Sequence, residues 1–446
     1  MKRDEATATD WTPRIAPDQI RRNFTEIKPP LADLEALVEA QRCLYCEYDV
    51  PCMRGCPTKI DIPGFIRQIG ENDPESAART ILASNVFGAV CARVCPVEKL
   101  CESLCICNTL HNKPISIGKL QRFATDKLMA SGHLPFRRGE PTGRRIAIVG
   151  AGPAGVAAAF ELSRFGHDVV IFEKEREPGG LDRYGIAEYK IDANFVRREM
   201  DYLLKLGGFE IKTGRAPVDP SKLKKLLADY DAVLIAVGLG PTKGLGVPGE
   251  DLHGVVDALS FIRRIKTQSL DSVPVGRRVI VIGAGNTAID AATQAKRLGA
   301  ESVTVVYRRG REHAKCTDHE YEISLADGCE WIFHAAPVDI LGDANGHVKS
   351  ARFRKDGEVF ELPCDHFIKA IGQEPFSWIQ EVPGLELEPN RTIKVDPITW
   401  MTSVPGLFAA GDCVKQAKEV VNAVYEGKRA AQAIDGWMAF DAAKRF

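Results

Sequence analysis

Two stretches of this chain read almost alike. RRIAIVGAGPAGVAAAFELSRFGHDVVIFEKE (144–175) and RRVIVIGAGNTAIDAATQAKRLGAESVTVVYRR (277–309) each give an apolar strand, a glycine turn, an apolar helix and a second strand, in that order. A strand that enters a helix through such a turn starts a βαβ unit, and two units imply two dinucleotide-binding domains built on parallel sheets. DAVLIAVG (231–238), DHFIKAIG (365–372) and GLFAAGD (406–412) are further short apolar strands ending in or near glycine, as expected where a chain crosses between nested domains. The second unit is therefore expected to be inserted into the first.

The part ahead of these units has a different composition. Of thirteen cysteines, nine fall between Cys43 and Cys107, and only Cys316, Cys329, Cys364 and Cys413 lie elsewhere. The amino terminus lacks the apolar core of a secretory signal and no run of apolar residues is long enough for a bilayer, so the expected location is the cytoplasm. There thiols stay reduced, which favours metal or redox chemistry over a disulfide framework. With 59 basic against 60 acidic residues, nothing electrostatic points to nucleic acid or a membrane surface. Residues 1–30 read as a polar arm, LADLEALVEAQRC as a helix, and IPGFIRQIGENDPESAARTILASN as two helices split at Asp73-Pro74.

The cysteines form two blocks, Cys43-x2-Cys46-x5-Cys52-x3-Cys56-Pro57 and Cys91-x3-Cys95-Pro96-x4-Cys101-x3-Cys105. Short spacings on turns place soft thiolates a few ångströms apart, which suits iron–sulfur cubanes, and a Cys-Pro closing such a run is a ferredoxin feature. Two [4Fe–4S] clusters need eight ligands, and the two blocks hold eight cysteines. A tetrahedral zinc site is the alternative for this composition. Cys107 and the four scattered cysteines read as small buried apolar residues.

The glycine turns differ in what surrounds them. In the first, Gly150, Gly152 and Gly155 with Pro153 and Ala154 allow a pyrophosphate to approach the helix N-terminus, and Glu173 at the end of the next strand suits ribose hydroxyls. The later Gly411-Asp412 supplies an acid for a ribityl chain, which makes this site one for FAD. The second turn, Gly283-x-Gly285-x-x-Ala288, is followed by a strand ending in Arg308 and Arg309. Two guanidinium groups fit a 2′-phosphate, so NADPH is expected in preference to NADH. No C-x4-C pair follows Glu173, which argues against dithiol chemistry and leaves the clusters as the electron exit.

Together these residues resemble the N-terminal half of dihydropyrimidine dehydrogenase and the separate reductase subunit of its bacterial counterpart, through CMRGCPTKIDIPGFI, NVFGAVCARVCPVEKLCESLC, KPISIGKLQRFATD and the paired GAGPAG and GAGNTA turns. Glutamate synthase small subunits share the plan more distantly. The resemblance implies one cluster on Cys43, Cys46, Cys52 and Cys105, and a second on Cys56, Cys95, Cys101 and Gln121, with Cys91 a spectator. EYDVP, between Cys46 and Cys52, is one residue longer than the family pattern, with Cys107 as the substitute for Cys52. It further implies FAD contacts from Glu173, Leu181, Lys190 and Asp412, and nicotinamide-nucleotide contacts from Ala284, Asn286, Thr287, Arg308, Arg309, Lys315 and Gly372.

The expected architecture is thus α/β: an all-helical iron–sulfur domain (1–138), then two nested Rossmann-like domains, FAD-binding (139–262 and 376–446) and NAD(P)H-binding (263–375). By resemblance the chain is the electron-input subunit of a dihydropyrimidine dehydrogenase. Its partner in a hetero-oligomer would be a catalytic subunit with FMN and iron–sulfur clusters that carries the pyrimidine site. The runner-up is a glutamate synthase small subunit, from which IGKLQRF separates it; a zinc-stabilised nucleotide-binding regulatory protein is the reading from another class.

Overall fold

The computed structural model describes residues 15–214, 219–415 and 419–444. The chain forms two compact units. The larger comprises Lys28–Arg183, Asn194–Gly240 and the chain from Pro375 onward; the smaller comprises the segment ending at Ile27, Tyr184–Ala193 and Pro241–Glu374.

The larger unit begins with short helices. Two of them start where Asp precedes Pro or Ile-Pro: Asp61 accepts from the Gly64 N–H ahead of Ile62–Gly70, and Asp73 from the Ser76 N–H ahead of Pro74–Ser84, each at 3.0 Å. These caps satisfy helix donors, and proline in the first turn loses nothing. Ile62, Phe65, Ile66 and Ile69 fall on one face of the first of these helices and are buried. The long helix Ile117–Ser131 packs against both.

A five-stranded parallel sheet follows, in the order Leu407–Ala409, Ala232–Ile235, Arg145–Val149, Asp168–Phe172, Phe209–Lys212. The first glycine turn lies between Arg145–Val149 and the helix Pro153–Arg164. Helix Val420–Lys444 runs along that helix.

In the smaller unit the parallel order is Val255–Asp257, His366–Lys369, Arg278–Ile282, Ser302–Tyr307, Glu330–Phe333. Three antiparallel strands, Ala336–Gly342, Val348–Lys355 and Glu358–Pro363, make a separate small sheet. Among the described residues no helix is long and apolar enough to cross a membrane.

Two expectations are corrected here. Val255–Asp257 pairs with the second sheet, so this unit starts upstream of the 262/263 boundary, at Pro241. The polar arm also contains a helix, Pro17–Asn23, whose Ile20 joins Phe24 and Tyr189 in the smaller unit's core. Two apolar residues in a polar stretch sufficed, because the second dinucleotide helix offers them an apolar wall. Tyr189 is fully buried there, its hydroxyl 2.9 Å from Thr293 Oγ1.

Candidate functional site

The two cysteine blocks, far apart in sequence, meet around one cavity. Cys43, Cys46 and Cys52 of the first block and Cys105 of the second line it, together with Cys107, Leu44 and Ile106, over a floor that includes Ile62, Ile66, Ile115 and Ile117. Cys43 follows helix Asp33–Gln41, Cys52 lies in the short helix Pro51–Gly55, and Cys105 precedes Ile106–His111. Tyr45 and Asp49 take left-handed φ of 48° and 42°, which bends the loop between these cysteines. The one-residue-longer EYDVP loop is accommodated, and Cys52 and Cys107 both face the cavity. Cys107 also approaches the Arg42 carbonyl oxygen, at 3.7 Å.

The donor set fits a polynuclear iron cluster. Burial, then the neighbouring Cys105 and Cys43 thiols, pushes Cys52 up to about 12, and burial likewise raises Cys43. Several crowded thiols cannot ionise together unless cationic metal compensates them. Cys56, Cys95 and Cys101 form a second set. Cys101 is raised well above the usual thiol value by burial, then by Glu102, Cys95 and Cys56; Cys95 is raised first by its hydrogen bond with Cys91, then by burial. Cys91, expected as a spectator, is thus a direct neighbour of this set. Gln121 is buried on helix Ile117–Ser131, and its Nε2 donates to the Gly88 carbonyl at 2.7 Å, at the start of the helix that carries Cys91.

At the first glycine turn, Gly150 has φ 106°, and a Cβ there would stand 2.4 Å from the Ala236 carbonyl oxygen, so only glycine fits. Glu173 is buried; its Oε2 accepts the Ala151 N–H at 2.7 Å. Gly179 N–H donates to Ala151 O at 2.9 Å, which seats Gly180 on the turn and brings the half-exposed Leu181 beside it. Asp412 follows Gly411, and burial, then the charge of Glu426, pushes its carboxyl up to about 7.

Lys190 is placed differently from expectation. Its Nζ donates to Asp290 Oδ1 and, at 2.6 Å, to Glu320 Oε2 inside the smaller unit. Asp290 lies on the second dinucleotide helix, so this cation is neutralised by protein carboxylates of its own unit.

At the second turn Gly283 has φ 128°. The Lys315 and Cys316 N–H groups both donate to Ala284 O, at 2.8 and 2.9 Å, which seats Lys315 next to the turn. Arg308 and Arg309 follow strand Ser302–Tyr307 and are exposed. Asn286 opens the helix with a buried Oδ1 that has no protein partner, an acceptor suited to a bound molecule. Gly285 has open space where a side chain would be, and Gly372, with φ 91°, accepts the Lys243 N–H at 2.9 Å.

Glu426 had no signal in sequence: it is one acid in a long amphipathic helix, and only the packing shows where it points.

Known proteins resemble this chain in sequence and in fold. Residues 144–427 match the pyridine nucleotide-disulphide oxidoreductase family, and residues 20–133 match dihydropyrimidine dehydrogenase domain II, 4Fe-4S cluster. The NAD-dependent dihydropyrimidine dehydrogenase subunit PreT of Escherichia coli K12 is 37% identical over 93% of this chain and 97% of its own. The glutamate synthase [NADPH] small chain of the same organism is 32% identical over 96% of each. Among solved structures, the thioredoxin reductase of T. acidophilum aligns with TM-score 0.53 at 22% identity, covering 67% of this chain and 99% of its own. That last likeness concerns the fold. The chain belongs to the family of NAD(P)-dependent iron–sulfur flavoprotein oxidoreductases that includes the dihydropyrimidine dehydrogenase subunit PreT and the glutamate synthase small chain.

Proposed function

We propose that this chain is the electron-input subunit of a dihydropyrimidine dehydrogenase. When bound, FAD would supply a hydride acceptor for NADPH, and two [4Fe–4S] clusters would supply one-electron transfer to a partner subunit, bearing FMN and further clusters, that reduces uracil or thymine. The observation that carries this reading is the meeting of Cys43, Cys46, Cys52 and Cys105 around one cavity.

In this reading Cys56, Cys95, Cys101 and Gln121 hold the second cluster, and Cys91 supports it from beside Cys95. Glu173 and Asp412 address the sugar portions of FAD, and the turn at Gly150, Gly152 and Gly155 takes its pyrophosphate. Arg308, Arg309 and Lys315 supply three exposed cations for a 2′-phosphate, which supports NADPH, although the PreT relatives are named NAD-dependent. The protein's task is to orient the nicotinamide and flavin rings and to exclude water between them; no proton-transfer group is obligatory for hydride transfer.

The test is the content and activity of anaerobically purified chain. About one FAD and about eight irons per chain are expected, with NADPH-dependent reduction of artificial acceptors and no reduction of uracil until the partner is added. About four irons, stoichiometric zinc, or uracil reduction by this chain alone would overturn it.

A further inference from the structure

The helix Val420–Lys444 reaches the first site at one point. At Gly427 it meets the dinucleotide helix backbone to backbone, since a Cβ there would stand 2.0 Å from the Ala154 carbonyl oxygen. That approach delivers the preceding residue to the turn after strand Leu407–Ala409. Glu426 is 7% exposed, and its Oε2 accepts the Gly411 N–H at 2.9 Å. Gly411 is left-handed, with φ 82°, and glycine by itself leaves its peptide free to adopt other orientations. A hydrogen bond to a carboxylate fixes one of them. Asp412 is the next residue, and its side-chain direction follows from that peptide.

We infer that Glu426 is a positioning residue for the flavin dinucleotide: by holding the Gly411 N–H it fixes the turn that aims Asp412 at the sugar–phosphate chain of FAD. This rests on the reading of the first glycine turn as the FAD site.

Wild type, Glu426→Gln and Glu426→Ala, purified anaerobically, are compared for FAD per chain after gel filtration and for the rate at which free-FAD fluorescence appears on dilution. Iron per chain serves as the control for the cluster region. Loss of a buried charged acceptor predicts FAD release about tenfold faster or more in Glu426→Ala, with iron unchanged. Glu426→Gln keeps an acceptor oxygen for Gly411 and is expected within about threefold of wild type. Wild-type release from Glu426→Ala, or release from Glu426→Gln as fast as from Glu426→Ala, overturns the inference. Should Glu426→Ala fail to accumulate, Glu426→Asp takes its place: one methylene shorter, it is expected to leak FAD while Glu426→Gln retains it, and equal retention overturns the inference. A wild-type chain without FAD would instead overturn the reading of the site.

Discussion

The two glycine turns have the same frame and opposite surroundings. Each first glycine is left-handed and backed by a carbonyl oxygen, Ala236 behind Gly150 and Ala370 behind Gly283. Five residues on, the first turn has Gly155, where a Cβ would stand 2.0 Å from the Gly150 carbonyl oxygen; the second has Ala288, buried with its methyl accommodated. After the next strand the first unit presents a buried acid, Glu173, already hydrogen-bonded to its turn, whereas the second presents two exposed cations, Arg308 and Arg309. The backbone motif therefore specifies only that a dinucleotide backbone fits. The strand end, with a buried acid in one case and exposed cations in the other, is where the two turns differ in chemistry.

The largest effect is expected from copying the second turn into the first. Gly155→Ala forces a methyl against backbone rather than a movable side chain, an overpacking cost of about 1–3 kcal/mol or more, and it shifts the turn that FAD would contact. Loss of most bound FAD and a lower melting temperature are expected. The reciprocal Ala288→Gly costs only helix propensity, about 1 kcal/mol, with nucleotide use kept. A Gly155→Ala chain that retains FAD like wild type would break the comparison at its packing step.

Next comes the charge. If Arg308 and Arg309 bind the 2′-phosphate as proposed, replacing both with serine removes two charge-assisted contacts, each about 1.5–3 kcal/mol, or roughly 3–6 kcal/mol in all. At about 1.4 kcal/mol per factor of ten, kcat/KM for NADPH should fall at least about a hundredfold relative to NADH, less whatever Lys315 retains. Equal losses with both nucleotides would mean that the arginines do not distinguish the sites.

Much of this was legible in the sequence because it is local. Glycine turns and the helix break at Asp73-Pro74 are each written within a short window, and each lies where expected. What escaped depends on distant partners. Tyr189 and Lys190 sit in a short stretch without periodicity, and only the helix Asn286–Arg297, with Thr293 and Asp290, makes them a buried anchor of the smaller unit. Cys91 was set aside by matching to a pattern, yet its thiol meets Cys95 one helical turn on. Glu426 was invisible because nothing in its own helix distinguishes a residue aimed at Gly411 from one aimed at solvent.

The smallest expected effect concerns a buried charge in the larger unit, where Arg93 pairs with Asp126 at 2.8 Å but Glu199 is left with one unpartnered oxygen. In the smaller unit buried ions are paired: Lys190 with Asp290 and Glu320, and Lys266 with Glu188 at 2.8 Å. In the larger unit Glu199 is 1% exposed; one oxygen accepts the Ala89 and Val90 N–H groups at 3.0 and 3.3 Å, and the other has no partner. Burial pushes this carboxyl up to about 8 from a usual value of 4.5. Because the folded value lies above the unfolded one, the folded state bears no penalty below the unfolded value. Stability is then lost as pH rises toward the folded value, by at most about 1.4 kcal/mol per pH unit. Glu199→Gln keeps an acceptor oxygen for both N–H groups and cannot ionise. Its melting temperature should therefore lie close to wild type near pH 5 and exceed it increasingly as pH rises toward 8, by at most about 1.4 kcal/mol per pH unit. Other titrating groups are common to both proteins and cancel in the difference. A difference that does not change with pH would mean that Glu199, like the ions of the smaller unit, has a partner that keeps it charged.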